Sequence, residues 1–159
     1  MTSTVRPEIR AFFEQYAKAG DTLDTVALND CFHEVFLNLD PTNAAPIARD
    51  LLIRSLPLRQ KLFDSIGARG MDLTTLTETP LDDRHALAET TWAVRFGANA
   101  RSTEPLEFGA TFVLRLDGGR WRIVVYLNHH DVVASVRSRA VASASAEHPP
   151  TRTGGQHAL

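Results

Sequence analysis

The chain has a single cysteine, Cys31, in 159 residues, which excludes a disulfide framework and a cluster of thiolate metal ligands. It has no basic block or stripe: acidic and basic residues are interspersed and the net charge is −2. The electrostatic footprint of a nucleic-acid binder is therefore missing, and that of a protein held on an anionic membrane with it. No apolar run approaches the roughly 18 residues of a membrane span, and MTSTVRPEIR lacks the apolar core of a signal peptide. The expectation is a cytoplasmic protein. There is no Gly-rich phosphate loop, and no cofactor is implied. What remains is a chain of ordinary globular composition, long enough for one sizeable core and short for two.

The first half reads as helical and the second as strands. Ile9, Phe12, Phe13 and Tyr16 recur at helical spacing, with Gly20 as a stop. Thr22 or Asp21 is placed to cap a second short helix reaching Asn29. His33 to Leu39 has strand character, ended by the turn Asp40-Pro41-Thr42-Asn43. Asp50 is a good N-cap for a third helical region, Leu51 to Ile66, in which Pro57 predicts a kink or two abutting helices.

Met71 to Thr79, Ala86 to Phe96, Leu106 to Leu116 and Arg120 to Leu127 then read as four strands. Gly118-Gly119 predicts a two-residue hairpin turn. It sets Leu116 opposite Trp121, Leu114 opposite Ile123, Phe112 opposite Val125 and Ala110 opposite Leu127, with His129 on the same apolar face. The other face carries Arg115, Arg122, Tyr126 and Asn128, the alternation of an antiparallel sheet with one buried side. Arg115 and Arg122 meet on that outer face, which with Val113, Val124 and Tyr126 is a candidate homodimer interface.

A last helix is expected from about His129 to Ala140. Residues 141–159 are small, polar and rich in Gly and Pro, the composition of a disordered tail, so the domain proper is 1–140. Helices followed by a meander of long strands is an α+β pattern: a curved antiparallel sheet wrapped around N-terminal helices, a conical barrel with an internal pocket.

The residues FFEQYAKAGDTLD (12–24), CFHEVFLNLDP (31–41) and FVLRLDGGRWRIVVYLNHH (112–130), in that order, resemble the nuclear transport factor 2-like superfamily, which includes SnoaL-like proteins and ketosteroid isomerases. The matching pieces span roughly Pro7 to Arg137. In ketosteroid isomerase an Asp base moves a proton while a Tyr and a protonated Asp hold the oxyanion. The resemblance places Asp40 where that base stands and Tyr16 where the oxyanion Tyr stands. It puts Phe112 where the protonated Asp belongs, and a phenyl ring donates no hydrogen bond. Steroid isomerisation is thereby disfavoured, and another proton transfer is left open.

Each candidate has two readings. Asp40 is a general base in an apolar cone, or the acceptor of a local turn. Tyr16 donates to a ligand oxygen, or is a core tyrosine with a satisfied tip. In VVYLNHHDVV, Asn128 and Asp131 have the form of a capping box with Asn128 as N-cap. His129 is left as an acid or base at the cavity floor, or as a donor to a buried carbonyl. His-His-Asp lacks the spacing that converges metal ligands, so no metal is expected. Asn38 shares a strand face with Asp40 and Phe36; either that face or the face of Val35, Leu37 and Leu39 turns inward. With Phe12, Trp92 and Phe112 they are the candidate ligand contacts, unless Phe12, Phe36, Trp92 and Phe112 simply fill the cone. Two functions follow: a cofactor-independent isomerase, cyclase or dehydratase acting on a small apolar oxygenated molecule, or a non-catalytic ligand-binding or accessory dimer.

Overall fold

The computed structural model describes residues 4–147, with the side chains of 145–147 left aside. Helix α1 (Pro7–Thr22) starts with Pro7 in its first turn, where a missing N–H costs nothing. It runs through Gly20 and stops at Leu23, whose left-handed φ of 51° lets the Leu23 and Asp24 amides close on the last carbonyls. Asp24, rather than Thr22 or Asp21, caps α2 (Thr25–Cys31), accepting from the Ala27 amide at 3.1 Å. That frees Asp21 to bond the Met71 amide and the Arg95 guanidinium.

Strand β1 (Phe32–Leu39) turns back through β2 (Ala44–Ala48), a short edge strand that its Pro46 had disguised. Helix α3 (Arg49–Asp64) follows directly, with Ala48 at its N-cap and Asp50 in its first turn, and Pro57 lies inside a single helix. Four strands complete the sheet: β3 (Ala68–Pro80), β4 (His85–Phe96), β5 (Glu107–Asp117) and β6 (Arg120–Asn128). The order is β2-β1-β6-β5-β4-β3. All neighbours are antiparallel except β1 and β6, so the open, curved sheet is mixed where the sequence pattern had pointed to an antiparallel one.

The β5–β6 hairpin shows how local chemistry and packing divide the work. Gly118 and Gly119 take φ of 57° and 77° and set Leu116 opposite Trp121 and Leu114 opposite Ile123. One extra residue is then accommodated between Ile123 and Val125, and Phe112 meets Tyr126 instead of Val125. Because side chains alternate with period two, this bulge exchanges the two faces for the rest of β6. Tyr126 turns inward and is 8% exposed, so it leaves the proposed outer interface. Asn128 pairs with Ala110, and His129 points out.

On β1 the inward face is that of Phe36; Val35 and Leu37 are exposed at 52% and 38%. The main core joins Ile9 and Phe13 of α1 to Phe32, Phe36, Phe112 and Leu114 of the sheet. A second cluster packs Val132 and Val136 against Phe63 and Phe108. These valines belong to α4 (Val132–Glu147), which begins three residues later than expected. Its N-cap is Asp131, not Asn128: the Asp131 side chain accepts from the Ala134 amide at 2.9 Å and its carbonyl from Ser135 at 3.0 Å. The helix runs on to Glu147; of the expected tail, residues 148–159 lie outside the described residues. No helix among the described residues is long and apolar enough to cross a membrane.

Candidate functional site

Small side chains leave a hollow between α1, α3 and the sheet. Ala17 and Gly20 of α1, with Ala68 and Ala110 of the sheet, line a cavity of about 160 Å³. Larger groups close it: Tyr16 from α1, Phe63 from α3, and Trp92, Phe112 and Tyr126 from the sheet. A more open cleft of about 340 Å³ adjoins it, bounded by Asn38, Asp40, Ser55, His130 and Asp131. Leu52, Arg59, Tyr126, Asn128 and Val132 belong to both walls and form the partition between them.

The polar groups of the inner cavity have definable states. Burial holds the Tyr16 phenol well above the ordinary tyrosine value, and interaction with the Tyr126 phenol raises it further; the Arg59 guanidinium opposes both. Tyr16 is therefore a neutral hydroxyl at any physiological pH, a donor in a low-dielectric wall. The Trp92 N–H is already committed, donating to Thr90 Oγ1 at 2.8 Å, which donates in turn to the Ala110 carbonyl at 2.8 Å. Asp21 is the carboxylate on this wall, and it is held by Met71 and Arg95. Cys31, buried behind Phe32, has its thiol pushed up to about 11 by burial. Among the described residues no cluster of three or more His, Cys, Asp or Glu could hold a metal ion.

The sequence candidates are distributed around this space, not gathered in it. Tyr16, Trp92 and Phe112 line the inner cavity. Asn38 and Asp40 face the outer cleft. Asp40 Oδ1 accepts from the Thr42 amide at 2.8 Å, the Thr42 hydroxyl at 3.0 Å and the Asn43 amide at 2.8 Å. These bonds, led by the Thr42 amide, hold its carboxyl below the usual range. His129 is exposed and forms part of neither wall; its Nε2 lies 2.7 Å from the Thr111 hydroxyl on the outer face. Phe12 stacks on Tyr16 with centroids 6.4 Å apart, and Phe36 packs on Phe32 at 4.7 Å; both stand behind the walls.

Sequence reasoning missed Tyr126, Asn128 and Arg59. The first two were hidden by the bulge, whose one trace is the doublet Val124-Val125 in an otherwise alternating strand. Arg59 left a clearer signal. Leu52, Leu56, Arg59 and Phe63 recur at intervals of four, three and four, one helical stripe in which an arginine replaces an apolar residue.

No protein-family model matches the chain, and no curated protein matches it. Solved structures do. It resembles a nuclear transport factor 2-like protein of unknown function from Shewanella oneidensis, with a TM-score of 0.62 and 13% identity over 77% of this chain and 96% of that one. It also resembles a protein of unknown function from Mycobacterium tuberculosis, with a TM-score of 0.63 and 18% identity over 87% of this chain and 88% of the other. A third likeness is to a nuclear transport factor 2-like protein with a cystatin-like fold from Novosphingobium aromaticivorans, with a TM-score of 0.62 and 20% identity over 83% and 86%. These likenesses, together with four helices against an open six-stranded curved sheet among the described residues, identify the fold of this chain as nuclear transport factor 2-like.

Proposed function

We propose that the protein binds a small, largely apolar molecule carrying an oxygen function, and that it binds without moving a proton. The observation that carries this reading is the cavity of about 160 Å³ between α1, α3 and the sheet, apolar over most of its wall and furnished with the hydroxyl of Tyr16 and the side chain of Asn128. Its size is of the order of an apolar cavity that holds one benzene ring, about 150 Å³. A steroid or polycyclic polyketide needs the several hundred Å³ of a drug-sized pocket, so the ligand class narrows to a single ring or its equivalent. Binding is favoured over proton transfer by the placement of the candidate bases. Asp40 is reached only from the outer cleft and is committed to its turn; His129 is on the other side of the sheet from the cavity.

The test uses Trp92, which lines the cavity, in a Trp121→Phe background that leaves it the sole tryptophan. Benzyl alcohol, cyclohexanone, a bicyclic ketone and a steroid are titrated in turn. Single-ring compounds are expected to shift the Trp92 emission and raise the melting temperature, and the steroid to do neither. Absence of any response from every compound would overturn the reading.

A separate observation supports self-association. Val35 and Leu37 are exposed on the outer side of β1, and Leu37 and Leu39 are level with Val125 and Leu127 of β6. The resulting apolar strip is the kind of surface a second copy covers. We infer a homodimer through this face, to be checked by sedimentation of the wild type and of Leu37→Lys. A monomeric wild type at high concentration would remove the idea.

A further inference from the structure

Arg59 is set apart from the other described arginines by its place, since it alone among them lines both the inner cavity and the outer cleft. Arg6, Arg95, Arg115 and Arg120 each have a carboxylate partner, Glu78, Asp21 and Asp72, Asp117, and Asp30 respectively. Arg59 has none among the described residues, though it is half-buried. Its guanidinium lies 5.6 Å over the Phe63 ring, a contact that orients the planar group without neutralising it. It also belongs to both walls, at the partition between the apolar cavity and the outer cleft. Its field reaches the cavity, where it opposes the other influences on the Tyr16 phenol.

We propose that the natural occupant is a small organic acid, a single-ring or branched carboxylate, whose apolar body fills the inner cavity and whose carboxylate rests on Arg59. This rests on the binding reading above and names its ligand class. The guanidinium fork matches a carboxylate with two parallel hydrogen bonds, which a point charge or an amide does not reproduce. Asn128, on the same partition, has an amide to offer the second oxygen, and Tyr16 a hydroxyl. The two carboxylates that share the outer cleft are both engaged: Asp40 by the amides of Thr42 and Asn43, and Asp131 as the cap of α4. Neither is spent on Arg59.

The experiment measures benzoate, benzamide and benzyl alcohol against the wild type, Arg59→Met and Arg59→Lys by titration calorimetry. Methionine keeps the length of the stem and removes the charge. Benzoate is expected to bind the wild type about 10- to 100-fold more tightly than benzyl alcohol, the range for hydrogen bonds to a charged partner. Arg59→Met is expected to abolish that preference, read as the ratio of benzoate to benzyl alcohol affinity within the same variant, and Arg59→Lys to restore only part of it. Benzyl alcohol binding as well as benzoate to the wild type would overturn the carboxylate proposal and leave the pocket reading standing. Failure of all three ligands would overturn both. An unfolded Arg59→Met leaves the wild-type ratio of benzoate to benzamide as the deciding number.

Discussion

Tyr126 lies nearly flat on Phe112, with ring centroids 4.9 Å apart and planes 13° apart. The stack exists because β6 carries one residue more than β5 between the Gly118-Gly119 turn and this point. It delivers a phenol to the position where strict alternation would have put Val125. The same displacement moves Asn128 into the cavity wall and takes His129 out of the interior.

The chain has two tyrosines, so Tyr126→Phe leaves Tyr16 alone to be followed by ultraviolet difference titration. Tyr16 is expected to ionise above the ordinary value of about 10, because burial, the main cause, survives the substitution. A group whose folded pKa is raised contributes stability that is present below its unfolded pKa and lost as pH rises through the folded one. Wild-type stability should therefore fall from about pH 10 upward, and Tyr16→Phe should flatten that decline. Ionisation near the ordinary value in a folded Tyr126→Phe protein would contradict the assignment.

Phe112 is 1% exposed and walls the cavity on the sheet side. Phe112→Ala is expected to cost about 3–5 kcal/mol in denaturant unfolding. Where the fold survives, the enlarged space should bind the bicyclic ketone more tightly than the wild type does. A stable variant with unchanged size selectivity would show that Phe112 does not bound the site.

Asp40→Asn and His129→Ala are expected to leave the affinity for single-ring ligands unchanged within about twofold, since neither side chain reaches the inner cavity. Asp40→Asn should still weaken its turn. The Asp40 carboxyl is held below its usual range by the Thr42 and Asn43 bonds, so its contribution is present above the unfolded value of about 3.9 and lost as pH falls through the folded one. The stability gap between wild type and variant should accordingly close at acid pH. A large loss of affinity in Asp40→Asn at neutral pH would return this carboxylate to the site.

Glu78 is buried in the outermost strand β3, and Arg6 binds it through its amide at 2.9 Å and its Nε at 2.7 Å. This pair ties the start of α1 to the sheet edge. Arg6→Ala strands a buried carboxylate and should cost about 3 kcal/mol, whereas Arg6→Met with Glu78→Leu should recover most of it. Equal destabilisation by the single and double substitutions would show that the charge pairing is not what holds the helix.

Two glycines separate backbone strain from crowding. Gly67 and Gly118 both have positive φ, 74° and 57°. A Cβ at Gly118 would meet nothing within 4 Å, while at Gly67 it would lie 2.6 Å from Ala100 Cα. Gly118→Ala should cost about 1 kcal/mol, from strain alone, and Gly67→Ala clearly more, from strain plus overpacking of about 1–3 kcal/mol. Equal costs would mean that the segment holding Ala100 gives way freely.

Much of this fold is written locally. The amphipathic α1, the Gly118-Gly119 turn and the long strands of the second half follow from spacing and turn chemistry that act within a few residues. The order of these elements carries the likeness to the nuclear transport factor 2-like fold. Less visible were β2, five residues with a proline that pair only because β1 lies alongside, and the last turns of α4 from Val141 to Glu147, whose small polar residues have the composition of a tail.

The site was the harder part, and for one reason. Which face of a strand looks inward depends on a count of residues between the turn and the core, and a single bulge inverts it. The sequence by itself determined that there is a hairpin, that it has an apolar face, and that aromatic residues of α1 pack against it. Only the tertiary structure decided that Tyr126 and Asn128 face the cavity, that His129 does not, and that Arg59 stands at its partition with no carboxylate partner among the described residues. Register, helix rotation and the pairing of charges are settled by packing between segments far apart in the chain, where no local pattern reaches.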